Sequence, residues 1–163
     1  MQELSGAGGN WRVIDEAIDP TVVQQQDSLS CGPACGEMLL HDRGVNDVDQ
    51  SIIAYETGVP VDVAYLARVL NQIDRSDIGL WRGGNFVSDD MSAMLDRLIA
   101  KGSWAAEMKE FGNPIAHLVV VDGCDALGFV KIRDPWNQTK YKMEKEEFFN
   151  YWTTRVIYLE PNS

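Results

Sequence analysis

One cysteine stands where the surrounding sequence favours a reactive thiol. Cys31 opens the stretch CGPAC, and Pro33 is tolerated in a helix only within the first turn. This places Cys31 at the N-terminus of a helix that runs to about His41. A helix N-terminus lowers the pKa of a thiol, and the thiolate is the nucleophilic form of cysteine. The pattern therefore predicts a nucleophilic Cys31.

A nucleophilic thiol needs a base, and the sequence has only two histidines. His41 lies near the far end of the helix that begins at Cys31, so its ring cannot reach the sulfur. His117 begins the predicted strand HLVVVDG, and a strand that faces the helix across a cleft presents its first side chain to the thiol. We therefore expect His117 to be the base.

The base in turn needs an acceptor that orients its ring, and the oxyanion needs donors. Asp134 ends the next predicted strand. If the two strands pair in antiparallel fashion, the start of one lies beside the end of the other, so His117 and Asp134 become neighbours. Asp122 is an alternative acid, although it stands in a predicted Asp-Gly turn. Gln25, six residues before Cys31, can place an amide donor beside the thiol.

The elements that position these residues are helices first and strands second. Helical patterns cover residues 31–41, 47–58, 60–73 and 88–102 (with Ser88 as the cap of the last one), and an extended piece with a Gly-Gly break covers residues 78–86. Short strands follow at 117–123, 128–135, 140–144 and 155–160, interrupted by a helix at 145–152. This order predicts an α+β fold, with an N-terminal helical half packed on a C-terminal antiparallel sheet and a cleft between the two halves.

The composition is that of an acidic globular protein. The chain has 163 residues, of which 45% are hydrophobic, and a net charge of −11. This charge excludes nucleic acid and anionic membranes as partners, because phosphate binding needs clustered lysine and arginine. Residues 1–12 predict a flexible, glycine-rich lead-in, and residues 13–163 predict a single domain. No signal peptide or membrane span is visible, and three cysteines predict a reducing environment without a disulfide framework.

Three stretches resemble the bacteriocin-processing, double-glycine leader peptidases, a branch of the papain-like cysteine proteases. They are QQDSLSCGPACGEMLL, HLVVVDGCDALGFVKIRDPW and MEKEEFFNYWTTRVIYLEP. Gln25, Cys31, His117 and Asp134 match the family motif position by position. The chain departs from the motif at Ser30, where the family often has an acidic residue. The resemblance spans about residues 25–161.

The resemblance implies a papain-like fold and a cysteine endopeptidase that cuts after a double-glycine-type motif, with no metal or organic cofactor. Four further residues are predicted to bind the substrate: Trp81, Gly83, Ala116 and Trp136. For the two tryptophans, a place in the core is the alternative. Gly83 and Gly84 can present their backbone to an extended peptide, although a plain turn is the alternative interpretation. The glycine-rich stretch at Gly6-Ala7 or Gly8-Gly9 itself resembles a cut site, and a simple linker is the alternative there.

Two biological roles fit this chemistry. Related papain-like domains serve as toxic cargo in bacterial competition, together with an immunity protein, and we expect such an effector, delivered into a target cell's cytoplasm by a secretion system. The alternative is a free-standing leader peptidase in the bacterial cytoplasm that matures an exported peptide. A deamidase or transferase would use the same thiol, whereas a silent binding module would lack the nucleophile.

The remaining cysteines are interpreted as core residues. Cys35 and Cys124 suit the interior as small apolar side chains. A zinc site built from Cys31, Cys35, His41 and Cys124 is the chemical alternative, but a lone Cys-x-x-x-Cys pair has poor ligand spacing.

Overall fold

The computed structural model describes residues 3–4, 10–87 and 90–162, and for residues 3 and 4 the backbone alone. The helices in this part of the chain are α1 Cys31–His41, α2 Gln50–Thr57, α3 Val63–Ile73, α4 Met91–Ile99 and α5 Lys145–Tyr151. The strands are β1 Glu3–Leu4, β2 Arg12–Ile18, β3 Gly79–Asn85, β4 Trp104–Met108, β5 His117–Cys124, β6 Val130–Asp134, β7 Thr139–Met143 and β8 Trp152–Pro161. All of these strands pair in antiparallel fashion in one sheet, in the order β1-β2-β7-β6-β5-β4-β8-β3.

The sheet separates two apolar cores. Successive side chains of a strand point to opposite faces, so Val119 and Val120 of the buried strand β5 belong to different cores. The core around Val120 holds the apolar side chains of α1, α2 and α3, whereas the core around Val119 holds those of α4 and α5. The strand that begins at His117 is therefore held rigidly from both sides.

The helix α1 begins differently from α2, α3 and α4. Those three helices are capped by Asp49, Asp62 and Asp90, whose carboxylates each accept a hydrogen bond from a backbone N–H of the first turn. At α1 the N-cap is Ser30, and its hydroxyl donates to Asp27 Oδ1 (2.7 Å) instead of accepting from the helix. The first N–H groups of α1 are thus left without a side-chain cap beside Cys31.

The α+β class predicted from the sequence is confirmed. The sheet also takes strands from the first half of the chain, because β1 and β3 are its edge strands and β2 lies next to β1. The sequence analysis missed β1, β2 and β4. In β4 the sequence is WAAEM, whose alanines, glutamate and methionine favour helix locally, and only its place between β5 and β8 makes it a strand.

Two details of the predicted organisation need correction. Trp11 and Arg12 were assigned to a flexible lead-in, but Trp11 is 1% exposed in the core and Arg12 begins β2. The Gly83-Gly84 pair was interpreted as a break or turn, but both glycines lie inside β3 and pair with β8. The predicted cap Ser88 and the predicted cut sites at Gly6-Ala7 and Gly8-Gly9 lie outside the described residues. Within the described residues, every helix is too short or too polar to traverse a bilayer.

Candidate active site

Cys31 lies at the start of α1, against the first residues of β5. Its Sγ accepts a hydrogen bond from the Leu118 N–H at 3.4 Å, and Cys31 and His117 line the same cavity. The packing of α1 on β5 is what brings the sulfur to the imidazole, since the two residues are far apart in the chain. The predicted meeting of Cys31 with the first residue of this strand is present in the structure.

The His117 ring bridges Cys31 and Asp134. Its Nε2 lies 2.8 Å from Asp134 Oδ1, which leaves Nδ1 as the ring nitrogen for the sulfur. The strand register explains this contact, because β5 and β6 pair Val120 with Arg133 and so place Asp134 on the face that carries His117. His117 and Asp134 are therefore neighbours, as antiparallel pairing predicts, although they lie diagonally across the two strands and not directly opposite each other.

Asp134 is fully buried and hydrogen-bonded at both carboxylate oxygens. Oδ1 also accepts the Trp136 N–H (3.0 Å), and Oδ2 accepts the Tyr141 hydroxyl (2.6 Å). The alternative acid is wrong, because Asp122 is engaged elsewhere. The Asp122 carboxylate accepts two hydrogen bonds from the Arg133 guanidinium, at 2.8 and 2.7 Å, on the sheet face opposite to Asp134.

The electrostatics of the pair favour charge on both partners. Burial raises the pKa of Cys31, but the hydrogen bond and the positive charge of His117, with the Leu118 N–H, outweigh it and lower the pKa of Cys31 below its ordinary value. Burial lowers the pKa of His117, but the charge and hydrogen bond of Asp134, with those of Cys31, outweigh it and raise the pKa of His117 to about 10. A thiolate formed at Cys31 thus faces an imidazolium.

Gln25 lies in the loop before α1 and is 5% exposed. Its backbone N–H donates to Pro135 O (2.9 Å), and its Nε2 donates to Asp27 O (2.7 Å). The side-chain amide has two N–H groups, and Asp27 O takes one of them. Gln25 Oε1 is buried and has no hydrogen-bond partner among the described residues, so Nε2 alone anchors this amide.

Gln50 fixes the loop on both sides of Gln25, and the sequence analysis missed it. Its Oε1 accepts the Gln26 N–H (3.1 Å), and its Nε2 donates to Gln24 O (2.6 Å). Gln24 in turn donates from Nε2 to Trp136 O (2.5 Å), which ties the loop to the residues after Asp134. A polar residue in the first turn of a surface helix carries no local signal for such a role.

A cavity of about 270 Å³ opens beside the sulfur. The predicted substrate-binding residues Ala116 and Trp136 line it, and the Trp136 ring meets the His117 ring edge to face at 6.3 Å. Its other lining residues are Ser28, Leu29, Cys31, Pro60, Asn113, Ile115 and His117.

The other two predicted substrate-binding residues are wrong, because they lie outside this cavity. Trp81 is 2% exposed in the core beneath α3, and its Nε1 donates to Asp74 Oδ2 at 2.8 Å. Gly83 lies so close to α3 that a Cβ there would be 2.2 Å from Val63 O. Close packing of helix and strand therefore explains this glycine, and both residues border a separate groove between α3 and β3.

The remaining cysteines and His41 do not line the cavity. Cys35 is fully buried, its Sγ bonds to Leu118 O (3.3 Å), and burial raises the pKa of its thiol well above the ordinary value. All three cysteines are free thiols, and Cys124 ends β5 far along the strand from His117. Within the described residues, no three His, Cys, Asp or Glu side chains cluster as metal ligands would, which argues against the zinc alternative.

A thiol at a helix N-terminus, an imidazole on the first residue of an antiparallel strand and a buried carboxylate on the next strand define the papain-like class of cysteine peptidases. The chain belongs to the Peptidase_C39-like family, whose family model matches residues 18–157. The domain is accordingly a cysteine peptidase, and its substrate is a protein or peptide.

Solved structures share the fold. The peptidase domain of Streptococcus ComA, a bi-functional ABC transporter involved in a quorum sensing pathway, superposes with a TM-score of 0.69 at 21% identity, over 86% of this chain and 97% of that domain. The peptidase domain of Streptococcus mutans ComA gives a TM-score of 0.54 at 23% identity, over 86% of this chain and 99% of that one. The sequence-based resemblance to this kind of peptidase is thus confirmed at the level of fold and family.

A protein from Escherichia coli O1:K1:H7, named Cysteine protease effector 1, is 39% identical over 153 residues. The aligned region covers 94% of this chain but 29% of that protein. The chain therefore spans less than a third of the length of this relative.

Proposed function

We propose that this domain is a cysteine endopeptidase in which Cys31 is the nucleophile, His117 the general acid and base, and Asp134 the residue that orients the imidazole. The observation that carries the proposal is the placement of Cys31 and His117 on one cavity, with His117 hydrogen-bonded to the buried Asp134 at 2.8 Å.

In this mechanism the Cys31 thiolate attacks the carbonyl carbon of the scissile bond. The negative charge on the carbonyl oxygen is stabilised by the backbone N–H of Cys31 and the free N–H of Gln25. His117 then gives its Nδ1 proton to the departing amine as the C–N bond breaks, which leaves a thioester on Cys31. Water attacks the thioester and loses a proton to the same nitrogen, which releases the acid and restores the thiol pair.

A preference for a double-glycine-type motif before the cut is part of this proposal. The support is the family resemblance around Cys31 and the small volume of the cavity, about 270 Å³, where Trp136 and Ala116 stand directly beside the reacting pair. Side chains on the two residues before the scissile bond would meet these walls, whereas glycine presents only backbone.

A peptide library in which the two residues before the cut are varied tests the specificity. We expect cleavage after Gly-Gly, with products whose new N-termini are read by sequencing, and no cleavage by a Cys31→Ala protein. Cleavage after bulky pairs at equal rates would refute the preference but not the peptidase. A change of side-chain mass without chain scission would instead reveal the deamidase or transferase alternative.

We further propose that the domain acts as a bacterial effector that cleaves a protein of the target cell, and that a neutralising partner protein accompanies it. The relative named a cysteine protease effector supports this role over the maturation of an exported peptide. Expression in the bacterial cytoplasm should arrest growth, and Cys31→Ala should abolish the arrest. Harmless expression of a protein that is active on Gly-Gly peptides would favour the leader-processing role.

A further inference from the structure

The hydrogen-bond chain that begins at His117 does not end at Asp134. On the far side of this carboxylate, the Tyr141 hydroxyl donates to Oδ2 at 2.6 Å, and the Trp11 indole Nε1 donates to the Tyr141 hydroxyl at 3.0 Å. Trp11 is 1% and Tyr141 2% exposed, so these bonds form in a medium of low dielectric, where a hydrogen bond to a carboxylate is strong.

The donor and acceptor inventory gives this chain a direction. An indole N–H donates and never accepts, so the Tyr141 oxygen must be its acceptor. The single hydroxyl proton of Tyr141 is then directed towards Asp134 Oδ2. Because Asp134 Oδ1 already accepts from His117 and from the Trp136 N–H, the carboxylate is held at both oxygens and cannot rotate about its own bond.

Trp11 also faces the imidazole directly. Its ring stacks on the His117 ring with centroids 6.2 Å apart and 21° between the planes. The same side chain therefore limits rotation of the ring and, through Tyr141, rotation of the carboxylate that orients it.

Trp11 is the residue directly before the strand β2, which is anchored at this point. The buried Glu147 of α5 accepts the Arg12 N–H at 2.7 Å and the Arg12 guanidinium at 3.1 Å. Trp11 directly precedes β2, and the pairing of β2 with β7 brings it beside the strand that carries Tyr141.

We propose that Trp11 and Tyr141 are positioning residues that hold Asp134 and His117 in their working geometry, so that the N-terminal strand β2 completes the active site. This inference rests on the proposed roles of His117 and Asp134. It assigns a function to a segment whose sequence shows no catalytic motif.

Single substitutions give the first test. Tyr141→Phe removes one hydroxyl, leaves Asp134 Oδ2 unpaired, and should lower kcat about tenfold with KM unchanged. Trp11→Phe keeps an aromatic ring but removes the donor, and should lower kcat about threefold. Trp81→Phe is the matched control for Trp11, because it removes a buried indole hydrogen bond far from the cavity, and Tyr158→Phe is the control for Tyr141.

A double-mutant cycle separates positioning from general stability. If Trp11 acts through the Tyr141 hydroxyl, Trp11→Phe should lower kcat less than twofold in a Tyr141→Phe background. If the two single losses of kcat instead add up in the double variant, the inference that Trp11 acts through the Tyr141 hydroxyl is refuted. Losses of thermal stability with kcat unchanged in both single variants would show that the two residues are only structural.

The rate of Cys31 alkylation by iodoacetamide, followed by peptide mass mapping as a function of pH, supplies a readout that needs no substrate. The pH at which the alkylation rate increases should be higher in Tyr141→Phe and in Trp11→Phe than in the wild-type protein. It should be unchanged in the two controls, Trp81→Phe and Tyr158→Phe. An unchanged profile in the first two variants refutes the inference. Failure of the wild-type protein to cut peptides, with a normal alkylation profile, would instead refute the proposed function.

Discussion

Replacing Asp134 by asparagine should narrow the pH range in which the peptidase works. Asp134 keeps His117 protonated, because its charge and its hydrogen bond at 2.8 Å outweigh the burial that lowers the pKa of the ring. Asparagine keeps the shape and an acceptor oxygen, so the ring can still be oriented, but the negative charge is gone. The alkaline limit of activity then falls, because His117 loses its proton at a lower pH.

The size of the change follows from the structure. With Asp134 present, the pKa of His117 is raised to about 10. An opposite charge in direct contact accounts for roughly 1–3 pKa units, so the alkaline limb of kcat/KM should move down from about 10 to roughly 7–9. Each unit lowers the ratio of the thiolate–imidazolium pair to the neutral pair tenfold, or about 1.4 kcal/mol.

The assay is kcat/KM against pH on a Gly-Gly peptide, with active sites counted by alkylation of Cys31. Asp122→Asn is the matched control, because Asp122 is a carboxylate bound to Arg133 on the opposite face of the sheet. We expect the wild-type protein and Asp122→Asn to share an alkaline limb near 10. An alkaline limb that is the same in Asp134→Asn would refute the electrostatic reasoning, even if kcat were lower.

Three further outcomes are expected. Gln25→Ala should lower kcat by about 10²-fold with little change in KM, because it removes one oxyanion donor. Gln26→Ala is the control and should leave kcat unchanged, and steady-state kinetics measure both variants. Gly83→Ala should lower the free energy of unfolding by about 1–3 kcal/mol in denaturant melts, because its Cβ would meet Val63 O at 2.2 Å. The kcat per folded molecule should stay constant, and a lower kcat would indicate that Gly83 has a role in the active-site cleft. In a Cys31→Ala protein, the raised pKa of His117 stabilises the fold. This stabilisation is complete below pH 6.5, the ordinary pKa of the ring, and it is lost as the pH rises through the pKa of His117 in the folded protein. Thermal unfolding should therefore show a Tm that declines above pH 6.5 and declines less in the double variant with Asp134→Asn.

Much of the arrangement of Cys31, His117 and Asp134 was predictable, because each of these positions follows from a local rule. Pro33 is compatible with a helix only near its start, which places Cys31 at the N-terminus of α1. Antiparallel pairing of consecutive strands brings the first residue of β5 near the last residue of β6, which places His117 beside Asp134. These relations depend on a few neighbouring residues, so a single sequence contains them.

The rest of the site depends on contacts between segments that the sequence does not connect. Trp81 and Trp136 are both tryptophans near turn signals, yet one lies under α3 and the other beside the cavity, because only the packing of α3 on the sheet decides which is covered. Trp11 belongs to a stretch without clear strand periodicity, and it becomes part of the site through a hydrogen bond to a strand about 130 residues away. Local chemistry in this chain therefore specifies which residues can react, whereas long-range packing selects the residues that hold and surround them, because burial and hydrogen-bond partners are properties of the folded chain alone.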